Sequence, residues 1–341
     1  MNILKKILQI IIFLNCQENC FSQTESIENL GFRFFNFTYK NEVVNLLVQS
    51  KKGDENIKKP LIIYLQGSLA KPLIINYPKK DNYKYSLAFP FNTEKIIQKY
   101  HIAVISKPYI PIVVNINDLD ENYTYIDSIS KKNPINFLKN DNLEYLTKRN
   151  IRAIEFLKRQ NFVNSSKIIL LGHSEGSRIA YEITKRKNNI SNLIYLSGNP
   201  FGRYMNISQS IRASQDTSYL LKKDDAFSFW LEIVQNKTIN NFEEGKDTYK
   251  SWYNYSKPYF DKFLKIRKPV FIGYGTRDDS SAFNDLYYFY TLLYEKKNFY
   301  VKPYVGLEHS FYKVNDDTTV NYDISYFDKV VDDFLKWLEQ N

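Results

Sequence analysis

The chain has 341 residues, 43% of them hydrophobic with 28 Tyr and 24 Phe, which suits one large α/β domain or one domain carrying an insertion. Its formal net charge of +10 is spread over scattered lysines and arginines, with no run beyond pairs and triplets such as Lys185-Arg186-Lys187. That pattern describes a lysine-biased solvated surface and argues against nucleic acid as a partner. No Walker loop, G-x-G-x-x-G or metal-spaced His/Cys cluster occurs, so neither a cofactor nor a metal is expected.

At the start, Lys5 and Lys6 precede an apolar run from Ile7 to Leu14 that only Gln9 interrupts. Cys20-Phe21-Ser22 then offers small residues at the spacing of a cleavage site. Residues 1–22 therefore read as an export signal, and the run is too short to span a bilayer. Both cysteines, Cys16 and Cys20, fall inside this segment, so the processed chain is expected to have no disulfide and no thiol chemistry. Asn15 before Cys16 argues against a bacterial lipid anchor there.

Two strand-like runs follow, Phe32 to Tyr39 and Val43 to Val48, rich in aromatic and branched residues. Pro60 to Leu65 is an apolar strand that ends in Gln66-Gly67-Ser68. A short helix is expected from Asn92 to Tyr100 with Asn92 as cap, then a strand from His101 to Ser106. Residues 109–140 show no period and contain Pro111 and Pro134; so long a loop is often functional and is expected to border the site. Asp141 is expected to cap a helix with Leu143, Leu146, Ile151, Ile154 and Leu157 on one face.

The most informative stretch comes next. Ile168 to Leu171 reads as a strand buried on both faces, and it runs into Gly172-His173-Ser174-Glu175-Gly176. Ile179, Ala180 and Ile183 then recur at helical spacing. Strand, sharp turn and helix around G-x-S-x-G are the context of a nucleophile elbow, in which strand and helix pass too close for a Cβ at either glycine. Further strands are expected at 193–196, 270–274 and 299–305, and a final helix at 322–339. Alternating β and α of this kind gives a doubly wound, mostly parallel sheet, an α/β fold. Between these, 199–266 lacks any strand pattern and carries Phe227, Phe229, Trp230 and Trp252 among polar helical stretches, as a helical insertion would.

These motifs resemble the α/β-hydrolase family over most of the chain after the first thirty residues, in particular its dienelactone-hydrolase and acyl-peptidase branches. The resemblance implies one hydrolase domain, 31–341, with 199–266 as a cap over the site. It implies Ser174 as nucleophile and, after it, an acid and then a histidine. Of three histidines, His173 lies inside the elbow and His101 opens a strand in the first half. His309, in Gly306-Leu-Glu-His309 after a late strand, fits the family order. The family pattern Gly-x-x-Asp falls on Gly275 and Asp278; Asp279 is the alternative acid, with capping of the next helix as its other role. The oxyanion hole is expected from the amides of Ser68 and Glu175, although Gln66 replaces the family histidine. The Glu175 side chain is expected in solvent. The implied activity is hydrolysis of a carboxylic ester or related acyl bond in a small molecule or short peptide. An acyl-peptidase-like exopeptidase and a non-catalytic binding module of the same fold are the alternatives.

Overall fold

The computed structural model describes residues 27–80, 83–213, 223–240 and 247–341. The export signal and both cysteines lie outside them. In chain order the strands are β1 (Phe32–Tyr39), β2 (Glu42–Gln49), β3 (Lys59–Leu65), β4 (Ile74–Tyr77), β5 (Tyr83–Ser86), β6 (His101–Ile105) and β7 (Val113–Asn115). They continue as β8 (Val163–His173), β9 (Ile190–Leu196), β10 (Val270–Gly275), β11 (Phe299–Tyr304), β12 (Tyr312–Val314) and β13 (Val320–Ser325). The helices are α1 (Glu94–Lys99), α2 (Ile135–Asn140), α3 (Leu143–Leu157), α4 (Glu175–Arg186), α5 (Arg203–Ala213), α6 (Lys223–Gln235), α7 (Tyr249–Ser256), α8 (Phe260–Phe263), α9 (Ser281–Leu293) and α10 (Phe327–Leu338).

An eight-stranded sheet in the order β1-β2-β6-β3-β8-β9-β10-β11 forms the centre. β2 pairs antiparallel with β1 and β6, and every other pairing in this sheet is parallel. The central strands are continuous apolar runs because helices cover both faces: β6 and β10 are buried at every residue, and β8 from Ile168 to His173. One core cluster joins the sheet to α3, α4 and α8, and the other joins its opposite face to Ile96 of α1 and to α10. Parallel strands joined by helices put all the βα turns at one sheet end, which is where chemistry in such folds collects.

A buried ion pair ties the antiparallel edge to the helical layer. The Arg149 guanidinium donates to Glu42 Oε1 at 2.6 Å and to the Ser106 carbonyl at 2.8 Å, and Tyr145 Oη donates to Glu42 Oε2 at 2.6 Å. The glutamate's partners come from α3 alone, so the helix is held in register against β2.

Three sequence expectations are corrected. Residues 109–140 are not a patternless loop: β7 pairs parallel with β4 in a small β5-β4-β7 sheet, and α2 follows. Strands of three or four residues are too short to show a period, and their partner is distant in sequence. Asn142, not Asp141, caps α3, its side chain accepting the Tyr145 N–H at 3.0 Å, while Asp141 turns inward and is buried. The last helix begins at Phe327, because residues 320–325 pair antiparallel with β12. The stretch between β9 and β10 is helical among its described residues.

Candidate active site

β8 ends at His173 and α4 begins at Glu175, so one residue, Ser174, makes the whole turn. It does so at φ 58° and ψ −125°, a conformation that costs a non-glycine residue about 1–3 kcal/mol. The neighbouring glycines make the turn possible. A Cβ on Gly176 would lie 1.9 Å from the Leu65 carbonyl oxygen, and one on Gly172 would lie 2.4 Å from the Gly176 oxygen. Ser177 Oγ braces the turn by bonding the Gly172 and Leu196 carbonyls at 2.8 and 2.7 Å. Steric crowding has therefore made the two glycines obligatory, and the strained serine is held by its neighbours.

The elbow presents Ser174 Oγ to His309. The Oγ–H donates to His309 Nε2 at 2.8 Å, and Nδ1 donates to Asp278 Oδ2 at 2.8 Å. A carboxylate can only accept, so Nδ1 carries the proton and Nε2 is left free to take one. Burial would raise the Asp278 carboxyl, but the hydrogen bond and charge of His309, with the Ser280 N–H, hold it below its ordinary value. Burial works against a charged His309, yet Asp278 outweighs it and raises the imidazole above its usual range. An imidazole whose free nitrogen faces a hydroxyl while its other nitrogen is held by a carboxylate can take that hydroxyl's proton.

The loops that carry the acid and the base are locked together. A Cβ on Gly275 would meet the Leu307 oxygen at 2.2 Å, so the two loops approach as closely as backbone allows. Glu308 Oε1 accepts the N–H groups of Ser310 and Tyr312 at 2.7 and 2.9 Å and shapes the turn after His309. His173 Nε2 donates to the His309 carbonyl at 3.0 Å. Burial pushes the His173 imidazole down to about 4, so it stays neutral and supports the loop as a fixed donor. This positioning role was not foreseen: in sequence His173 is only the variable residue of the elbow.

Asp279 does not cap α9. Ser280 occupies that position and makes no side-chain cap bond. Instead Asp279 Oδ2 accepts the hydroxyl of Ser210, in α5, so it ties the acid loop to the helical stretch above. The two adjacent aspartates thus point to different partners.

Gly67 passes close over Ser174, and a Cβ there would lie 3.4 Å from Ser174 Cβ. That places the amide of Ser68 beside Ser174. Among the described residues the Ser68 N–H meets no acceptor, and Glu175, first in α4, has none within its helix. Two free amides next to a nucleophile can receive a developing oxyanion.

The Glu175 side chain corrects the expectation of solvent exposure. Its carboxylate is buried, with Lys107 Nζ 3.8 Å away and no hydrogen-bond partner among the described residues. Burial raises the Glu175 carboxyl, partly offset by Lys107 and Arg203. Burial, and then Glu175, raise Asp141 further. These two buried acids, far apart in sequence, act on each other electrostatically.

Two cavities meet at Ser174 and His309. One, of about 460 Å³, runs beneath α5 and is lined by charged groups that are mostly paired within the protein, such as Arg203 with Asp247 at 2.6 Å. The other, of about 850 Å³, opens between Gln66–Leu69, the region from Tyr85 to Asn92 and the loop after His309, and has aromatic walls. Tyr123 reaches it, so the 109–140 region does border the site. No group of three or more His, Cys, Asp or Glu that could hold a metal exists among the described residues.

Sheet order, elbow and the placing of three side chains at one sheet end define an α/β-hydrolase fold. At 14% identity the chain overlays Est1E from Butyrivibrio proteoclasticus, a structure with ferulic acid bound, with a TM-score of 0.53, covering 90% of this chain and 100% of that one. Acylaminoacyl peptidase from Pyrococcus horikoshii overlays at 15% identity with a TM-score of 0.52 and 90% of this chain covered. Dipeptidyl peptidase 4 from Porphyromonas gingivalis overlays at 13% identity with a TM-score of 0.50 and 91% covered. The chain spans 41% and 35% of the length of those two peptidases. Residues 142–250, roughly a third of the chain, match the family described as BAAT / Acyl-CoA thioester hydrolase C terminal. No curated protein matches the sequence.

Proposed function

We propose that this chain is an exported serine hydrolase that cleaves a carboxylic ester, or a related acyl bond such as a thioester, through an acyl-enzyme. The observation that carries the reading is the unbroken hydrogen-bonded line Ser174–His309–Asp278, with both contacts at 2.8 Å and two free amides beside the serine. Ser174 Oγ attacks the carbonyl carbon as His309 Nε2 takes its proton. The oxyanion that forms faces the amides of Ser68 and Glu175. His309 then returns the proton to the leaving group, and the acyl-enzyme remains. A water, deprotonated by the same nitrogen, releases the acid and regenerates Ser174. A binding module of the same fold would need none of these groups in register.

The peptidase reading rests on overlay with enzymes of which this chain covers well under half. Peptidases that act near a free amino terminus need carboxylates for the ammonium group. The acidic candidates Asp224, Asp225, Glu243 and Glu244 have side chains outside the described residues. We therefore expect short-chain p-nitrophenyl esters and thioesters to be turned over with higher kcat/KM than aminoacyl-anilides. A panel of both measured on purified protein checks this, and the reverse order would replace the esterase reading by the exopeptidase one.

Export rests on the charged and apolar residues before Gln23. Amino-terminal sequencing of the chain recovered from outside the cytoplasm is expected to begin at Gln23. Finding the chain only in the cytoplasmic fraction, with Met1 intact, would remove export from the proposal.

A further inference from the structure

The two cavities differ in their walls: the one beneath α5 is lined by several charged side chains, the other by aromatic rings and few charges. Beneath α5, Arg203 pairs with Asp247, Arg178 with Glu182 at 3.3 Å and Asp278 with His309. The larger cavity has aromatic walls from Tyr85, Phe89, Phe91, Tyr123 and Phe327, and one lysine, Lys71, among its lining residues. The Lys71 side-chain ammonium has no hydrogen-bond or ion-pair partner among the described residues; only its backbone N–H is engaged, by the Leu69 carbonyl. Its carboxylate neighbour in the electrostatic field, Asp120, lies beyond ion-pair distance. The one carboxylate among the cavity's lining residues, Asp328, is exposed and already accepts the Asn92 N–H at 2.8 Å. Partial burial lowers the Lys71 ammonium from its ordinary value, so its charge is held with little compensation. Its charge also helps hold down the His173 imidazole, which places the ammonium within electrostatic reach of the reaction centre.

We infer that the larger cavity binds an aromatic part of the substrate that carries a carboxylate, and that Lys71 is the specificity-determining residue that recognises it. The inference rests on the serine-hydrolase reading for which bond is cut, but not for what the cavity holds. Aromatic rings in the walls supply the area, and an unpaired cation among the lining residues fixes orientation, the usual division of labour in a ligand pocket. A charge-assisted bond to a desolvated ammonium is stronger than a neutral one, and the lysine regains the partner that burial denies it. Hydrolysis of such an ester consumes one water and yields the acid and the alcohol, so no further reactant is required.

Two matched ester sets test the proposal. In the first, 4-(carboxymethyl)phenyl butyrate is compared with its methyl ester, which places the charge in the alcohol half. In the second, a phenyl ester of a carboxyphenyl-propionic acid is compared with its methyl ester, which places the charge in the acyl half. In at least one set the carboxylate should be preferred roughly tenfold in kcat/KM, about 1.4 kcal/mol. Lys71→Gln should remove that preference and Lys71→Arg should keep it; the readout is a ratio within each variant. Binding is read separately, in a Ser174→Ala background, by titration calorimetry with 4-hydroxyphenylacetate, whose Kd should rise roughly tenfold on adding Lys71→Gln. Lys71-dependent binding without any ester turnover would leave this inference standing while the hydrolase reading fell. No carboxylate preference in either set, or a preference that survives Lys71→Gln, overturns it.

Discussion

Ser174→Ala should abolish labelling by a fluorophosphonate and lower ester turnover by about 10⁶ in kcat, the scale on which a serine nucleophile is lost elsewhere. The size follows from what is removed. Without Oγ, His309 Nε2 has no hydroxyl to activate, and attack must come from water. The amides of Ser68 and Glu175 are backbone groups and survive the change, so a residual acceleration of roughly 10³–10⁴ over the uncatalysed reaction is expected from them and from binding. The fold should persist. Alanine at φ 58° is no more strained than the serine it replaces, and Ser174 Oγ has no role in bracing the elbow, which falls to Ser177. Mass spectrometry of the labelled protein and steady-state kinetics check both halves, with circular dichroism as the control for folding. A variant that still turns over ester at a normal rate would end the serine-hydrolase proposal.

Asp278→Asn is expected to cost about 10⁴ in kcat with little change in melting temperature. The asparagine keeps the shape and can still accept the Ser280 N–H, so the loop has no reason to open. What it loses is charge and the strict role of acceptor. If its amide N–H turns toward His309 Nδ1, the proton of the imidazole is driven to Nε2, which then cannot accept from Ser174. The imidazolium formed during attack also loses the carboxylate that raises its pKa. Asp279→Asn makes the contrast. Its partner is the Ser210 hydroxyl, which an amide oxygen can still receive, so activity should remain and at most about 1 kcal/mol of stability is at stake. Kinetics and thermal melts of the two variants together decide the matter. A dead Asp279→Asn beside an active Asp278→Asn would transfer the acid's role by one residue and leave Ser174 and His309 untouched.

Much of this was legible in the sequence because it is local. Ile168 to Leu171 had to be a buried strand, and Gly172 and Gly176 had to flank a turn too tight for side chains; the 1.9 and 2.4 Å at which a Cβ would meet backbone there are the physical form of that constraint. The central strands were readable because burial on both faces removes every polar residue from them. The resemblance to the family's Ser–acid–His order picks out Ser174, Asp278 and His309, and the parallel sheet puts the three loops at one end.

The tertiary structure decided what depends on partners far along the chain. Asp278 and Asp279 are alike in sequence, and only the positions of His309 and Ser210 separate them. Glu175 reads as a surface residue in sequence, yet its carboxylate is buried beside Lys107, which comes from a distant strand end. The β4-β7 pairing, the His173 contact to the His309 carbonyl, and the unpaired Lys71 in an aromatic cavity left no periodic mark. Periodicity records which face of an element is buried; it does not record which distant group fills the space opposite, and specificity resides in those groups.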